Sequence, residues 1–418
     1  MAMSSWCRSV VCLNEALRLP LHGRPRSRCL PALGALISLE LLTSGPAGAY
    51  DWKIETFLSE KLEVDDNIQV LPTFDETVVG STTTAGVAAT VGTATERLEL
   101  NGDFIRAFLE GLDGVFSSRP VSDSYRATFT KSAKTWEATI SGGFLRSSTF
   151  FTQEEETGIF DTESEQESLS ANSGLTVHIN QTDRAVWAAH FTRSTFTSPG
   201  STSEFDDSDS YGTSLGFERD VNKTLSASVT GSVDVFDPEG SSGNTRYQLT
   251  AGLEKRLSRT VTVSGSAAVL FVDPEGASAG GTGTIGNSAS NVAYPLTLDA
   301  SYAGKDVGAS IGFSRTASQS DTGAINSSDS VRAAASYAVN ELVSTGISAS
   351  FTEQEGSGLA GGGTERTSID VAPTLSYALT PFWSLAMGYL YRFQDGGSGS
   401  ADSNKFYLTL TNTDVPLP

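Results

Sequence analysis

The stretch "YALTPFWSLAMGYLYRF", Tyr377 to Phe393, decides the fold. From Trp383 onward, Leu385, Met387, Tyr389, Tyr391 and Phe393 recur at every second position, and the residues between them are mainly small or polar. That period belongs to a β-strand with one apolar face. Thr380 to Phe382 forms a short polar turn before it, and Tyr377 ends the run that precedes the turn, so the stretch reads as a β-hairpin.

The same unit recurs along the chain as "YAGKDVGASIGFS" from Tyr302, "YAVNELVSTGISASF" from Tyr337 and "FERDVNKTLSASVTG" from Phe217. Taken with Leu253, these starts lie 35 to 49 residues apart, so the repeat is a hairpin plus one longer connection rich in Gly, Ser, Asp and Glu. Trp136, Ala138, Ile140 and Phe144 alternate in the same way, as do Leu169, Ala171, Leu175, Val177 and Ile179. No segment after Tyr50 carries a helical apolar period. Eighteen strands are predicted, from 52–64 and 84–92 through to 383–393 and 403–411, and an even count puts both termini on the side of the short turns.

Aromatic placement separates a membrane barrel from a soluble sandwich or solenoid, which also alternate. Trp136, Trp187 and Trp383 begin strands just after short turns, and Tyr302, Tyr337, Tyr377 and Phe217 end strands just before them. They are expected to form a ring at the periplasmic interface. Phe144, Phe191, Phe236, Phe271, Phe313, Phe351 and Phe393 stand at the far ends and are expected to form a second ring on the same outward face. Eight residues separate Trp136 from Phe144, which at ~3.3 Å each and a tilt of ~40° rises roughly 20 Å, near the apolar band of an outer-membrane barrel. The predicted fold is therefore all-β, a closed antiparallel transmembrane β-barrel of about 18 strands (16–18), with short periplasmic turns and long external loops. Closure follows from the lipid, where an unpaired backbone N–H or C=O costs several kcal/mol.

Composition narrows the choice of partner. The chain has 418 residues, 28 Lys+Arg against 49 Asp+Glu, and a net charge of -21. This acidity argues against nucleic-acid binding. The longest apolar run, Leu30 to Leu39, stops at Glu40 and is too short for a membrane-spanning helix. Arg24, Arg26 and Arg28 precede Leu30 to Leu42, and small residues follow to Ala47-Gly48-Ala49, the pattern of a secretory signal peptide with an extended n-region. The expected organisation is a cleaved signal over 1–49, a barrel over 50–411 and a short periplasmic tail over 412–418. Cys7, Cys12 and Cys29 all lie in the leader, so the exported chain has no thiol. Removing the leader's five Arg and two Glu gives 28 - 5 = 23 basic and 49 - 2 = 47 acidic residues, a net charge of -24.

The opening "WKIETFLSEKLEVDDNI", Trp52 to Ile68, together with the hairpin series, resembles the outer-membrane β-barrel porins of Gram-negative bacteria, some of them associated with exopolysaccharide systems. The resemblance spans Tyr50 to Thr411 and implies residence in the outer membrane and a channel function. The end departs from the common pattern, because the chain runs past Phe406, Leu408 and Leu410 to Pro418, where many such barrels finish on an aromatic residue.

Arg126, Arg246, Arg332 and Arg392 fall on the inward face at predicted external strand ends. They are candidates for a basic rim that draws anionic solutes toward the pore by electrostatic focusing, or for partners of loop carboxylates such as Glu154 to Glu156, Asp206 and Asp207. The acidic clusters Glu154 to Glu156 and Glu204 to Asp209 lack Ca²⁺-loop spacing and read as solvated loops. Two Asp-Pro-Glu-Gly copies, Asp237 to Gly240 and Asp273 to Gly276, read as turn formers. His178 and His190 are expected to line the lumen as a pair flanking one turn; no serine sits at a nucleophile elbow, and catalysis, a metal site and a cofactor are not expected.

The sequence thus points to a porin-like channel for passive diffusion or export of hydrophilic solutes, related through the resemblance to polysaccharide. Its expected partners are outer-membrane lipid, lipopolysaccharide and the barrel-assembly machinery. The competing reading is a non-conducting surface barrel, an adhesin or scaffold that works through its external loops.

Overall fold

The computed structural model describes residues 50–68, 70, 77–110, 121–148, 165–197, 207–239, 243–274, 292–319, 325–356, 364–396 and 399–413. The chain divides at Ala49/Tyr50 into two units, and the second carries all the described structure. The leader, the Glu154 to Glu156 cluster and Glu204 to Asp206 lie outside the described residues.

The strands in chain order are β1 (Asp51–Asp65), β2 (Val78–Gly92), β3 (Glu96–Glu110), β4 (Val121–Ser132), β5 (Trp136–Ser148), β6 (Glu165–His178), β7 (Asp183–Thr197), β8 (Ser208–Asn222) and β9 (Leu225–Pro238). Then come β10 (Asn244–Arg256), β11 (Val261–Pro274), β12 (Val292–Ala293), β13 (Leu296–Ala303), β14 (Val307–Gln319), β15 (Ile325–Ala338), β16 (Val343–Gly356), β17 (Thr364–Ala378), β18 (Trp383–Gly396) and β19 (Gly399–Thr413). Each strand pairs antiparallel with its chain neighbours, β12 and β13 excepted, and β1 pairs with both β2 and β19, so the sheet is closed. Both β12 and β13 pair with β11, and together they make one wall position broken at Tyr294-Pro295. Nineteen strands less that one break give eighteen wall positions. Proline has no N–H for the ladder. Its carbonyl still accepts from Ala268 N at 2.8 Å, which holds the register across the break.

Short turns share a local device that single-sequence patterning did not reveal. Asn180 Oδ1 accepts from the backbone N–H of Thr182 and Asp183, Asn340 Oδ1 from Leu342 and Val343, and Thr380 Oγ1 from Phe382 and Trp383. A side chain thus replaces the missing strand partner inside the turn.

The first and last strands meet through an acidic-amide clasp. Ser403 Oγ donates to Asp65 Oδ1 at 2.8 Å, Asn404 donates from N and Nδ2 to Asp66 at 2.7 and 2.9 Å, and Asn67 Nδ2 donates to Asp402 O at 2.9 Å. The segment "VDDN" that carried the family resemblance therefore fastens the barrel seam.

Three expectations change in detail. β19 continues through Thr413, so 412 and 413 belong to the wall and not to a tail. β2 starts at Val78 and β15 at Ile325, because runs such as Thr82-Thr83-Thr84 put β-branched polar residues on both faces and hide the alternation. The external connections vary in length, from 397–398 up to 275–291, so not all of them are long.

Candidate functional site

Alternation assigns two faces to every strand. On the outer face Leu58, Phe104, Tyr125, Ile140, Leu215, Tyr247, Leu249 and Ile311 are exposed, an arrangement that suits lipid. Trp187, Trp383, Tyr302, Tyr337 and Tyr377 are exposed on this face at the short-turn end, and Trp136, half-buried, shares it. At the far end Phe144, Phe271, Phe313, Phe351 and Phe393 also face outward. There Phe144 stacks on Tyr125 with centroids 6.5 Å apart, and Phe104 meets Tyr125 edge-on at 5.6 Å. Phe236 does not join them: its even-numbered position shares the inner face with Asp234, since Val233 is the outward neighbour. Tyr125, Tyr211 and Tyr247 also belong to this ring and were missed, because they lie on the strand opposite Phe144, Phe191 and Phe271, while Tyr389 and Phe406 face each other across β18 and β19.

The inner face carries the polar chemistry. At the short-turn end it carries ion pairs, Lys53 with Glu55 at 2.6 Å, Arg97 with Glu99 at 2.6 Å, and Arg184 with Glu218 at 2.5 Å. Farther up, Arg332, Ser350, Asp370, Arg392 and Ser403 occupy one continuous row from β15 to β19. Within it Arg392 Nε donates to Asp370 Oδ1 at 2.9 Å, and Ser350 Oγ donates to Asp370 Oδ2 at 3.4 Å. Arg366, also inward, stands four residues from Asp370 toward the external end. Lys405 lies between Asp65 at 3.5 Å and Glu63 at 3.9 Å, all three buried, and Lys61 closes on Glu63 at 2.6 Å. Sequence reasoning missed Arg366, Lys61 and Lys405. The even spacing of 366, 368 and 370 was legible once β17 is started at Thr364.

The four predicted arginines all face inward. Arg126, Arg246 and Arg332 form no ion pair among the described residues. The Nε of Arg246 is buried without a hydrogen-bond partner, although Asp234 is opposite it in register. Asp234 is turned instead to Ser232 at 3.2 Å and His190 at 3.5 Å. Arg392 pairs with a wall carboxylate and not with a loop, and Asp207 is committed to the backbone N–H of Phe196 at 2.8 Å. Arg126 and Arg332 lie in mid-strand rather than at the rim, because β4 and β15 begin farther toward the external end than predicted. His178 and His190 are not a pair: His178 sits beside its turn opposite Arg184, whereas His190 is opposite Asn172, six residues up the ladder.

No protein-family profile and no curated protein matches the chain. Among solved structures it is similar to Pseudomonas aeruginosa OpdQ at 10% identity and a TM-score of 0.50, over 88% of this chain and 100% of that one. Others are Acinetobacter baumannii OccAB4, at 10% identity and a TM-score of 0.48 over 87% and 98% of the two chains, and the Pseudomonas aeruginosa outer membrane protein OpdK, at 10% and 0.48 over 86% and 99%. These neighbours are outer-membrane barrels, and at such identity the likeness concerns the fold: a closed, eighteen-position antiparallel barrel.

Proposed function

We propose that the protein is an outer-membrane channel for small hydrophilic solutes, with Arg126, Arg246 and Arg332 as the anion-contacting positions of its wall. An eighteen-strand barrel is wide enough to leave an aqueous lumen. The observation that carries the reading is the inner face itself, where Arg126, Arg246 and Arg332 form no ion pair among the described residues, and neither do Asp103, Glu137 and Asp299. Unpaired cations on a low-dielectric wall concentrate anions locally, even in an acidic protein. The exopolysaccharide link rests on the resemblance of the opening segment alone and is not part of the proposal.

The test is reversal-potential measurement in a planar bilayer under a salt gradient. Replacing Arg126, Arg246 and Arg332 together with Gln should shift the reversal potential toward cation selectivity. Unchanged selectivity would remove the arginine mechanism. Liposome swelling with sugars of graded size separates channel from scaffold: the absence of size-dependent flux would leave a non-conducting surface barrel.

A further inference from the structure

Charge of one sign gathers at the short-turn end, outside the lumen that the channel reading uses. The β4–β5, β8–β9, β10–β11 and β13–β14 turns carry Lys134, Lys223, Arg259 and Lys305, and Lys255 stands on the outer face at the end of β10. All five are exposed, and none forms an ion pair among the described residues. Backbone bonds hold three of these turns side by side: Arg256 N donates to Thr224 O at 2.7 Å, and Ala303 N donates to Thr260 O at 2.8 Å. Lys223, Arg259 and Lys305 therefore follow one another along one arc of the rim.

The excess survives a count of the carboxylates around it. Glu96 is held by Lys131 at 2.7 Å and Asp183 by Arg219 at 3.5 Å. Glu218, Asp220 and Glu254 lie on the inner face against Arg184 and Arg256, and Glu137, also inward, accepts from Ser132 at 2.9 Å. Among the described residues of these turns and the next, Asp306 and Glu341 are the carboxylates left without an ion pair, so five cations stand against two anions. At the external end, by contrast, the outward Arg106, Arg146, Arg193 and Arg315 are each paired with a carboxylate.

The side chains beside the cations select the partner. Val221 and Leu257, on the outer face just before the turns of Lys223 and Arg259, are 54% and 58% exposed. Apolar groups at this level gain nothing from a soluble polyanion, but they fit the margin of a hydrocarbon layer, with the cations reaching past it to phosphate depth.

We infer that this arc gathers anionic phospholipid in the leaflet facing the short turns, with the ammonium groups of Lys134, Lys223, Lys255 and Lys305 and the guanidinium of Arg259 against headgroup phosphates. The inference rests on the outer-membrane reading. A zwitterionic headgroup carries its own cation and is attracted less.

The barrel reports on its own lipid neighbours. Trp52, Trp136, Trp187 and Trp383 all lie on the outer face at the short-turn end; Trp136 is two residues from Lys134, whereas Trp383 follows Pro381 outside the arc. One reporter chain keeps Trp136 and Trp187, a second keeps Trp383, and Phe replaces the others of the four. Each is reconstituted in equimolar phosphatidylglycerol and phosphatidylcholine, and fluorescence quenching is compared with one or the other lipid brominated. At low salt Trp136 and Trp187 should see phosphatidylglycerol enriched about twofold over its bulk share, and Trp383 should see no enrichment. Replacing the five cations with Gln should remove the enrichment. The K223Q/R259Q/K305Q chain serves if the fivefold variant does not fold, and should lose at least half of it. Equal quenching by the two lipids at Trp136 and Trp187, which would leave the arc to a soluble polyanion, would overturn the inference. So would enrichment as large at Trp383, or enrichment that survives the substitutions. A chain with no heat-modifiable conversion from a folded, fast-migrating form to an unfolded form on a gel would instead count against the barrel reading, a distinguishable failure.

Discussion

Arg392 and Asp370 face each other across the β17–β18 ladder, guanidinium Nε to carboxylate Oδ1 at 2.9 Å, in the same inner row as Arg332. The pair silences one cation of a row that also carries Arg332 and, two strands back, Asp299. Asp370→Asn should unmask Arg392 and increase anion over cation permeability by a factor of about two, because one wall charge in a partly screened lumen shifts local potential by a fraction of a kcal/mol. Reversal potentials at low and high salt check this, and the gain should shrink as salt rises.

Gly388 and Tyr407 are cross-strand neighbours, and a Cβ at 388 would overlap the Tyr407 ring. The aromatic ring covers the glycine on the inner face, a known way to stabilise strand glycines. Gly388→Val should lower the temperature of the folded-to-unfolded gel transition, and adding Tyr407→Ala should restore part of it. A partial rescue identifies the overlap, and no rescue would point to backbone effects instead.

Lys405 is buried between Asp65 and Glu63, with Lys61 beyond. Lys405→Met leaves two carboxylates with a single remaining cation, a loss on the order of 3 kcal/mol for a buried charge deprived of its partner. Denaturant titration should show a lower midpoint, and Asp65→Asn in the same chain should recover part of the loss.

Asn340 holds the β15–β16 turn through two backbone N–H groups at 2.8 and 2.9 Å. Asn340→Ala should cost about 1 kcal/mol, the net worth of an ordinary hydrogen bond at an exposed site. Asn340→Ser, which keeps an acceptor, should cost less in the same titration.

Much of this architecture was legible because a closed sheet with one apolar outer face imposes it. Trp383 to Phe393 alternate because that strand has one such face, and aromatic residues gather at both ends of it. Legibility failed where composition on the two faces converges, as in the threonines of β2, and where a strand end is polar on both sides, as at Ile325 to Ser330. The lumen was half legible. Arg126, Arg246, Arg332 and Arg392 followed from parity, but the neutralising role of Asp370 and the clustering of Lys61, Lys405, Glu63 and Asp65 depend on which strands become neighbours across the seam. That adjacency joins the two ends of the sequence and leaves no local trace.

The clasp of Asp65, Asp66 and Asn67 on β19 also sets an order of events. Ser59 and Thr411, 352 positions apart, meet in that same ladder. Every other rung of the wall joins strands that follow one another in the chain, so each can form as its hairpin is delivered, whereas the closing rung must wait for the whole polypeptide. Until then β1 and the growing end are two open edges, each able to pair with the wrong chain. Commitment to the native state therefore falls at the last strand. A chain ending at Gly396 should accumulate as an open, protease-sensitive and aggregation-prone sheet despite retaining nearly all of its pairings.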